Sequence, residues 1–186
     1  MTAHEAINLT PVTRLSRDAI RLERVLPGPP ERVWAYLTEG DKRAQWFCGG
    51  STLTKKGQNA TLLFQHTNIT AEPTPEKYKG MDDAPFKSEV TVLAWDPPRE
   101  LAYTWPEGDD ISEVTFSLSP QGNDTRLVLT HRRIGSNAYL ISFSGGWHAH
   151  FSALAQVLEG EKPNGFWAEV AQLDAQYTKA FGNEPQ

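Results

Sequence analysis

The sequence predicts an α+β fold in which an antiparallel sheet is followed by a long amphipathic helix. Between residues 60 and 131, apolar and polar residues alternate in short segments, and turns rich in Gly, Pro, Asn and Asp separate these segments. This is the pattern of an antiparallel meander. From Leu140 to Leu158, the apolar residues instead recur three or four positions apart, which is the spacing of one helix face.

Composition narrows the class of protein. The chain has 186 residues, of which 39% are hydrophobic, and a net charge of −5, as in one acidic globular domain. We expect no nucleic-acid binding, because phosphate recognition needs a basic face. We expect no membrane span, because the apolar runs are far shorter than about 20 residues. The single cysteine, Cys48, and the lack of a secretory signal in residues 1–10 indicate a cytoplasmic protein.

The first part of the chain predicts one strand and two short helices. Residues 1–16 show no period and are interpreted as a tail. Residues 18–26 alternate like a strand, which a run of prolines ends. Pro30 suits the first position of a helix, where its missing N–H leaves no hydrogen bond unmade. A second short helix is predicted to end at Trp46-Phe47.

The meander follows, with one long interruption. Residues 67–86 contain three prolines and predict a long loop, which is typical of lids and binding loops and equally of disorder. The predicted strands cover residues 60–66, 87–95, 101–105, 114–118 and 127–131.

Two helices are predicted after the meander. Gly145 and Gly146 interrupt the apolar stripe of the first helix. They either start or bend the helix, or let it approach the sheet closely. The second helix lies within residues 161–186, and its apolar face either covers the same chain or forms a homodimer contact. That face contains Phe166, Val170, Leu173, Tyr177 and Phe181, with Trp167 beside it.

Four motifs are together distinctive. They are the P-x-x-V-W helix start in residues 21–47, the D-P-P-x-x-L turn in 92–105, the T-x-L-x-L-T-H strand in 112–131 and the G-W-x-x-x-F-x-x-L helix in 146–160. With them the chain resembles the START-like (SRPBCC) superfamily. Within that superfamily it is most similar to the branch named after the C-terminal domain of the activator of Hsp90 ATPase.

The resemblance implies a helix-grip (START/Bet v 1-like) fold. In it, a curved seven-stranded antiparallel sheet surrounds the long C-terminal helix, with a cavity between them, and one extra C-terminal helix follows. It divides the chain into a tail (1–16), a START-like domain (17–160, with 67–86 as a long insertion) and the extra helix (161–186). Because the chain lacks the co-chaperone's separate N-terminal domain, we do not expect activation of Hsp90.

The strand alternation and the helical spacing together predict which side chains line the cavity. Apolar and aromatic side chains of this kind line ligand pockets, and they can equally fill a core to native density. The predicted ligand-binding residues are Trp46, Phe64, Trp95, Tyr103, Trp105, Phe116, Leu129, His131, Trp147, Phe151 and Leu154.

Histidines are the main candidates for chemistry. His131 and His66 share strand faces with apolar residues, so each either orients a ligand or transfers a proton, or is a hydrogen-bonded core residue. No metal site is expected, because His148 and His150 are two positions apart and a helix presents ligands three or four apart. The strands of His66 and His131 are also too distant to share a metal.

Other polar residues are expected to be inert. Cys48 has no visible base nearby, and the turn that contains Glu107, Asp109 and Asp110 is expected to lie in solvent. No phosphate-binding glycine motif or G-x-S-x-G motif occurs, which removes the commonest nucleotide-binding and hydrolase classes.

We therefore expect a protein that binds a small apolar or aromatic molecule in the cavity. No catalytic residue, metal or cofactor is assigned, and we expect a binding protein rather than an enzyme. The resemblance leaves two alternatives, a polyketide cyclase or dehydratase-like enzyme and a co-chaperone-like protein-interaction module. Besides the small-molecule ligand, a homodimer partner and a different protein partner stay open.

Overall fold

The strands, numbered in chain order, are β1 (Thr13–Ser16), β2 (Ala19–Leu26), β3 (Gly49–Gly50), β4 (Asn59–Phe64), β5 (Phe86–Asp96), β6 (Glu100–Glu107), β7 (Asp110–Gln121) and β8 (Asp124–Arg132). They form one antiparallel sheet in the order β1-β2-β8-β7-β6-β5-β4-β3. The computed structural model describes residues 7–182, so the ends of the predicted tail and of the predicted C-terminal segment lie outside the described residues. β2 pairs with β8, which places the first long strand beside the last.

The long helix packs against one face of this sheet and buries the core between them. The largest side chains of that core include Phe116 from the sheet and Phe151 from the helix, and both are fully buried. The α+β helix-grip fold is therefore confirmed. In residues 7–182, no helix has the length and apolar character that a membrane span needs. The helices are α1 (Pro30–Thr38), α2 (Gly40–Arg43), α3 (Gly80–Asp83), α4 (Asn137–Leu158) and α5 (Phe166–Phe181).

The eight strands are one more than the seven that the resemblance implies, and two of them lie outside the predicted strand ranges, namely β1 in the predicted tail and the two-residue β3. Thr13 pairs with Arg21 in the hairpin of β1 and β2. The Val12 N–H just before β1 donates to the Tyr177 hydroxyl at 2.8 Å. The sequence of β1 shows no alternation of apolar and polar residues. This edge strand is mostly exposed, and its backbone pairing with β2 holds it in place without a buried face.

The predicted loop 67–86 contains ordered structure. The preceding strand ends at Phe64 rather than at residue 66, and a 3₁₀ turn, His66–Asn68, follows it. Ile69 is fully buried, and the Thr74 hydroxyl donates to Asp82 at 2.8 Å. A second 3₁₀ turn, Glu76–Tyr78, and α3 complete the segment. Tertiary contacts therefore fix a segment whose local sequence contains only turn signals.

Helix α4 continues through both of its glycines. A Cβ on Gly145 would lie 3.2 Å from Asp174 Oδ1 of α5, whereas a Cβ on Gly146 would meet nothing within 4 Å. Gly145 thus permits close approach of α5 rather than of the sheet. The Ser136 hydroxyl accepts the Tyr139 N–H at 3.1 Å, which caps the start of the helix.

The buried side chain of Arg43 fixes the segment between α1 and β4 through hydrogen bonds to its backbone. Its side chain is only 1% exposed, and a buried guanidinium is stable only when its donors are paired. The guanidinium donates at 2.7–3.1 Å to the carbonyl oxygens of Thr38, Cys48, Gly49 and Ser51. Arg43 therefore supplies the hydrogen-bond donors that a neighbouring strand would supply to these carbonyl groups in a regular sheet.

We expect Arg43→Met to lower the free energy of unfolding by at least about 3 kcal/mol, because several buried carbonyls lose their donor. Urea denaturation measures this change. The control is Arg99→Met, which removes an exposed cation paired with Asp96 and should leave the midpoint nearly unchanged. Equal losses in both variants would contradict the role given to Arg43.

Candidate functional site

A cavity of about 400 Å³ lies beside the core, between the sheet, α4, α5 and the segment 66–86. Its volume is that of a pocket for a small organic molecule. Ten of its 21 lining residues are Phe, Tyr or Trp: Phe47, Phe64, Tyr78, Phe86, Trp105, Tyr139, Phe143, Trp147, Phe166 and Trp167.

Four of these rings form what we call the aromatic floor, namely Phe47, Phe64, Trp105 and Trp147. Phe47 contacts Trp147 with ring centroids 4.9 Å apart and Phe64 with centroids 5.3 Å apart. Trp105 and Trp147 are 5.4 Å apart. The floor thus joins the sheet to α4 through direct ring contacts, which fixes its shape.

A second group, the outer cluster, consists of His66, Tyr78, Phe166 and Trp167. Tyr78 stacks on Trp167 with centroids 5.0 Å apart, and His66 lies 4.9 Å from Trp167. Because Tyr78 comes from the predicted loop and Trp167 from α5, these contacts bring both segments onto the cavity.

A chain of hydrogen bonds through His131 fixes the floor. Trp147 Nε1 donates to His131 Nδ1 at 3.1 Å, so we infer that His131 carries its proton on Nε2. Nε2 then donates to Ser112 Oγ at 2.7 Å, and that hydroxyl donates to the Trp105 carbonyl at 3.0 Å. Burial lowers the pKa of His131 to about 3. His131 is therefore a neutral core residue that positions Trp105 and Trp147.

The other described histidines are also neutral at physiological pH. Burial lowers the pKa of His66 to about 4 and that of His150 to about 3. His150 Nδ1 donates to the Trp46 carbonyl at 2.7 Å, and His148 Nδ1 lies 2.8 Å from the Tyr177 hydroxyl. Within residues 7–182, no three His, Cys, Asp or Glu side chains gather as metal ligands.

Glu107 lies at the edge of the cavity, and the expectation that it is exposed is wrong. Strand β6 continues to Glu107, so this side chain shares the inward face of Trp105, two residues earlier. It is 5% exposed. Oε1 accepts the Gly135 N–H at 3.4 Å, and Oε2 has no partner among the described residues. Burial raises the pKa of Glu107.

Cys48 is fully buried in the core. Burial raises the pKa of its thiol to about 12. Because the thiolate is the nucleophile, the thiol is unreactive at neutral pH.

The structure brings three of the predicted ligand-binding residues to the cavity, namely Phe64, Trp105 and Trp147. Trp95 instead packs edge to face on Trp34 of α1, with centroids 5.0 Å apart. The remaining predicted residues do not line this cavity, because they fill the core where the sheet and α4 approach each other: Trp46, Tyr103, Phe116, Leu129, His131, Phe151 and Leu154.

Several cavity residues were not predicted from the sequence. Tyr139 and Phe143 precede Trp147 at intervals of four on α4, and that spacing places them on one helix face. Extending the alternation of β6 by two residues would likewise have found Glu107. Tyr78 and Trp167 carry no such signal, since only the tertiary fold brings them to the cavity.

The burial of His131 predicts a pH-dependent contribution to stability. The unfolded chain binds a proton at a pKa near 6.5, whereas folded His131 stays neutral down to about pH 3. The contribution of neutral His131 is thus fully present above pH 6.5 and is lost at about 1.4 kcal/mol per pH unit below it. We expect the stability gap between wild type and His131→Gln, measured by urea unfolding, to narrow from pH 7 to pH 5. A constant gap would contradict this assignment.

Comparisons with known proteins agree with this architecture. The family model described as activator of Hsp90 ATPase homolog 1-like protein matches residues 27–159. The solution structure of the protein encoded by gene BPP1335 from Bordetella parapertussis is 45% identical, with a TM-score of 0.77, over 90% of this chain and 88% of that chain. A search of curated proteins finds no match.

Two more distant structures share the fold. The crystal structure of CalU16 from Micromonospora echinospora is 22% identical, with a TM-score of 0.66, over 88% of this chain and 86% of that chain. EF2215 from Enterococcus faecalis, titled a conserved protein of unknown function, is 20% identical with a TM-score of 0.68, over 100% of both chains. With most of its residues matched by the family model, the chain belongs to the activator of Hsp90 ATPase homolog 1-like family, within the START-like superfamily.

Proposed function

We propose that the protein binds a small apolar or aromatic molecule in the cavity between the sheet, α4 and α5. The observation that supports this most directly is the cavity of about 400 Å³ with its aromatic wall. Trp105 and Phe143 remain partly exposed there although they pack against the core. Aromatic rings around an open cavity of this size present apolar surface to a ligand, so the wall of the site favours an apolar ligand.

Gly146 contributes to the room for a ligand. It lines the cavity, and a Cβ at this position would meet nothing within 4 Å. A glycine inside a helix destabilises it by roughly 0.5–1 kcal/mol relative to alanine, and here no close packing contact requires that cost. The open volume above Gly146 is thus consistent with selection for space.

An enzymatic role for His131 or His66 has less support. Both ring nitrogens of His131 are already hydrogen-bonded within the core. Burial lowers the pKa of His66 to about 4, which makes it a weak base at neutral pH. Binding without acid–base chemistry is therefore the function that this cavity supports best.

Partners and location are proposed from the sequence. The apolar face of α5 includes Phe166, Leu173 and Tyr177, which are buried within the same chain, so this face does not support the homodimer contact. The single buried thiol of Cys48 supports a cytoplasmic location, where thiols stay reduced.

Binding of the neutral fluorescent probe N-phenyl-1-naphthylamine tests the proposed function. We expect saturable fluorescence enhancement with wild type and at least about tenfold weaker binding with Gly146→Leu, whose side chain would occupy the cavity. Circular dichroism should show that this variant folds, since leucine favours a helix more than glycine does.

The matched control is Ala138→Leu, which introduces the same leucine side chain at an exposed position of α4 and should bind the probe as wild type does. A wild-type protein without saturable binding, or equal affinity in Gly146→Leu, would overturn the proposal.

A further inference from the structure

The cavity carries charge of one sign. Of its described lining residues, Glu107 and Asp174 are acidic, and none is Lys or Arg. The lining histidines, His66 and His150, are neutral at physiological pH because burial lowers their pKa values to about 4 and about 3. The carboxyl groups of Glu107 and Asp174 thus belong to the wall itself, whereas the cation of Lys77 lies at its rim, beside Asp174 and 5.0 Å from the centre of the Tyr78 ring.

The two carboxyl groups differ in their surroundings. Asp174 is 44% exposed on its side chain and lies 4.0 Å from Lys77 Nζ. Glu107 is 5% exposed. Its Oε2 forms no hydrogen bond of normal geometry among the described residues, although the Ser112 hydroxyl and the Gly135 N–H both lie close enough to the carboxyl group to oppose the rise in pKa that burial causes. The charged neighbour that acts on Glu107 is another acid, Asp110. A buried carboxyl oxygen without a full set of donors is destabilised by its lost hydration, so a donor supplied by a ligand would bind there favourably.

Aromatic rings lie beside Glu107. Trp105 precedes it by two residues on the same strand, and Phe143 contacts Trp105 with centroids 5.9 Å apart. Tyr139 stacks on Phe143, with centroids 5.8 Å apart. The faces of such rings attract cations, and most strongly where water is excluded. The ring faces and the carboxyl group thus both favour a positive charge on the ligand.

We propose that the cavity selects aromatic ligands that carry a protonated amine, with the ammonium group against the carboxyl group of Glu107 and the apolar body against Trp105 and Phe143. This inference rests on the proposed function, because it assigns the ligand class of the same cavity. It sets amines apart from the fatty acids and other carboxylates, whose charge the two acids of the wall would repel.

Four compounds with the same naphthalene body test the proposal by isothermal titration calorimetry. They are 2-(2-naphthyl)ethylamine, 2-(2-naphthyl)ethanol, 4-(2-naphthyl)-2-butanone and 3-(2-naphthyl)propanoate. We expect the amine to bind wild type at least about tenfold more tightly than the alcohol, and the carboxylate to bind most weakly.

Glu107→Gln should reduce the preference for the amine over the alcohol to less than about twofold, because the amide keeps the size but not the charge. The affinity for the alcohol should stay near the wild-type value. The control Glu113→Gln removes one negative charge from an exposed pair with Arg133 and should keep the preference for the amine.

Each other outcome identifies what fails. Equal binding of amine and alcohol by wild type would overturn the charge preference and leave cavity binding intact. Tightest binding of the ketone would overturn it in favour of a protonated Glu107 that donates to a carbonyl. Binding of none of the four would contradict both this inference and the proposed function. The wild-type ranking decides the question even if Glu107→Gln does not fold.

Discussion

The hydrogen bond from Trp147 Nε1 to His131 Nδ1 sets the boundary between core and cavity. Together with the bond from His131 to Ser112, it ties α4 to β7 and β8 through buried side chains. On the side of Phe116, the space between helix and sheet is filled. On the side of Phe143, whose ring stacks on His131 at 4.6 Å, the same two layers separate. A buried, fully bonded imidazole is rigid, so the position of the cavity follows from this one polar contact.

Two further segments complete the cavity wall, namely α5, which lies outside the family match, and the insertion 67–86, which lies within it. Helix α5 packs on α4 and brings Trp167 to the cavity, and the insertion supplies Tyr78, which stacks on it. Arg43 acts from the other side, since its bonds to Cys48 and neighbouring carbonyls fix the chain next to Phe47. The wall of the cavity thus depends on elements that are far apart in sequence.

Local periodicity was enough to predict the long strands and the helices α1, α4 and α5, because alternation and helical spacing indicate directly which face of an element is buried. It placed Trp105 and Trp147 correctly on inward faces. It could not say which inward residues meet open space, since Phe151 and Trp147 follow the same helical rule and only one lines the cavity. Glu107 was missed because a carboxyl beside a turn normally lies in solvent, and β1 because an exposed edge strand needs no apolar pattern.

At Gly146 the volume of the cavity can change without a change in the packing of the core, although the two usually change together in a protein. In most cores, altering a pocket means repacking several neighbours, because each side chain supports others. Here a Cβ at Gly146 of α4 would project into the cavity and meet no atom within 4 Å. The volume of the cavity can therefore diverge among descendants of this chain through substitution at a single codon, with the scaffold inherited unchanged.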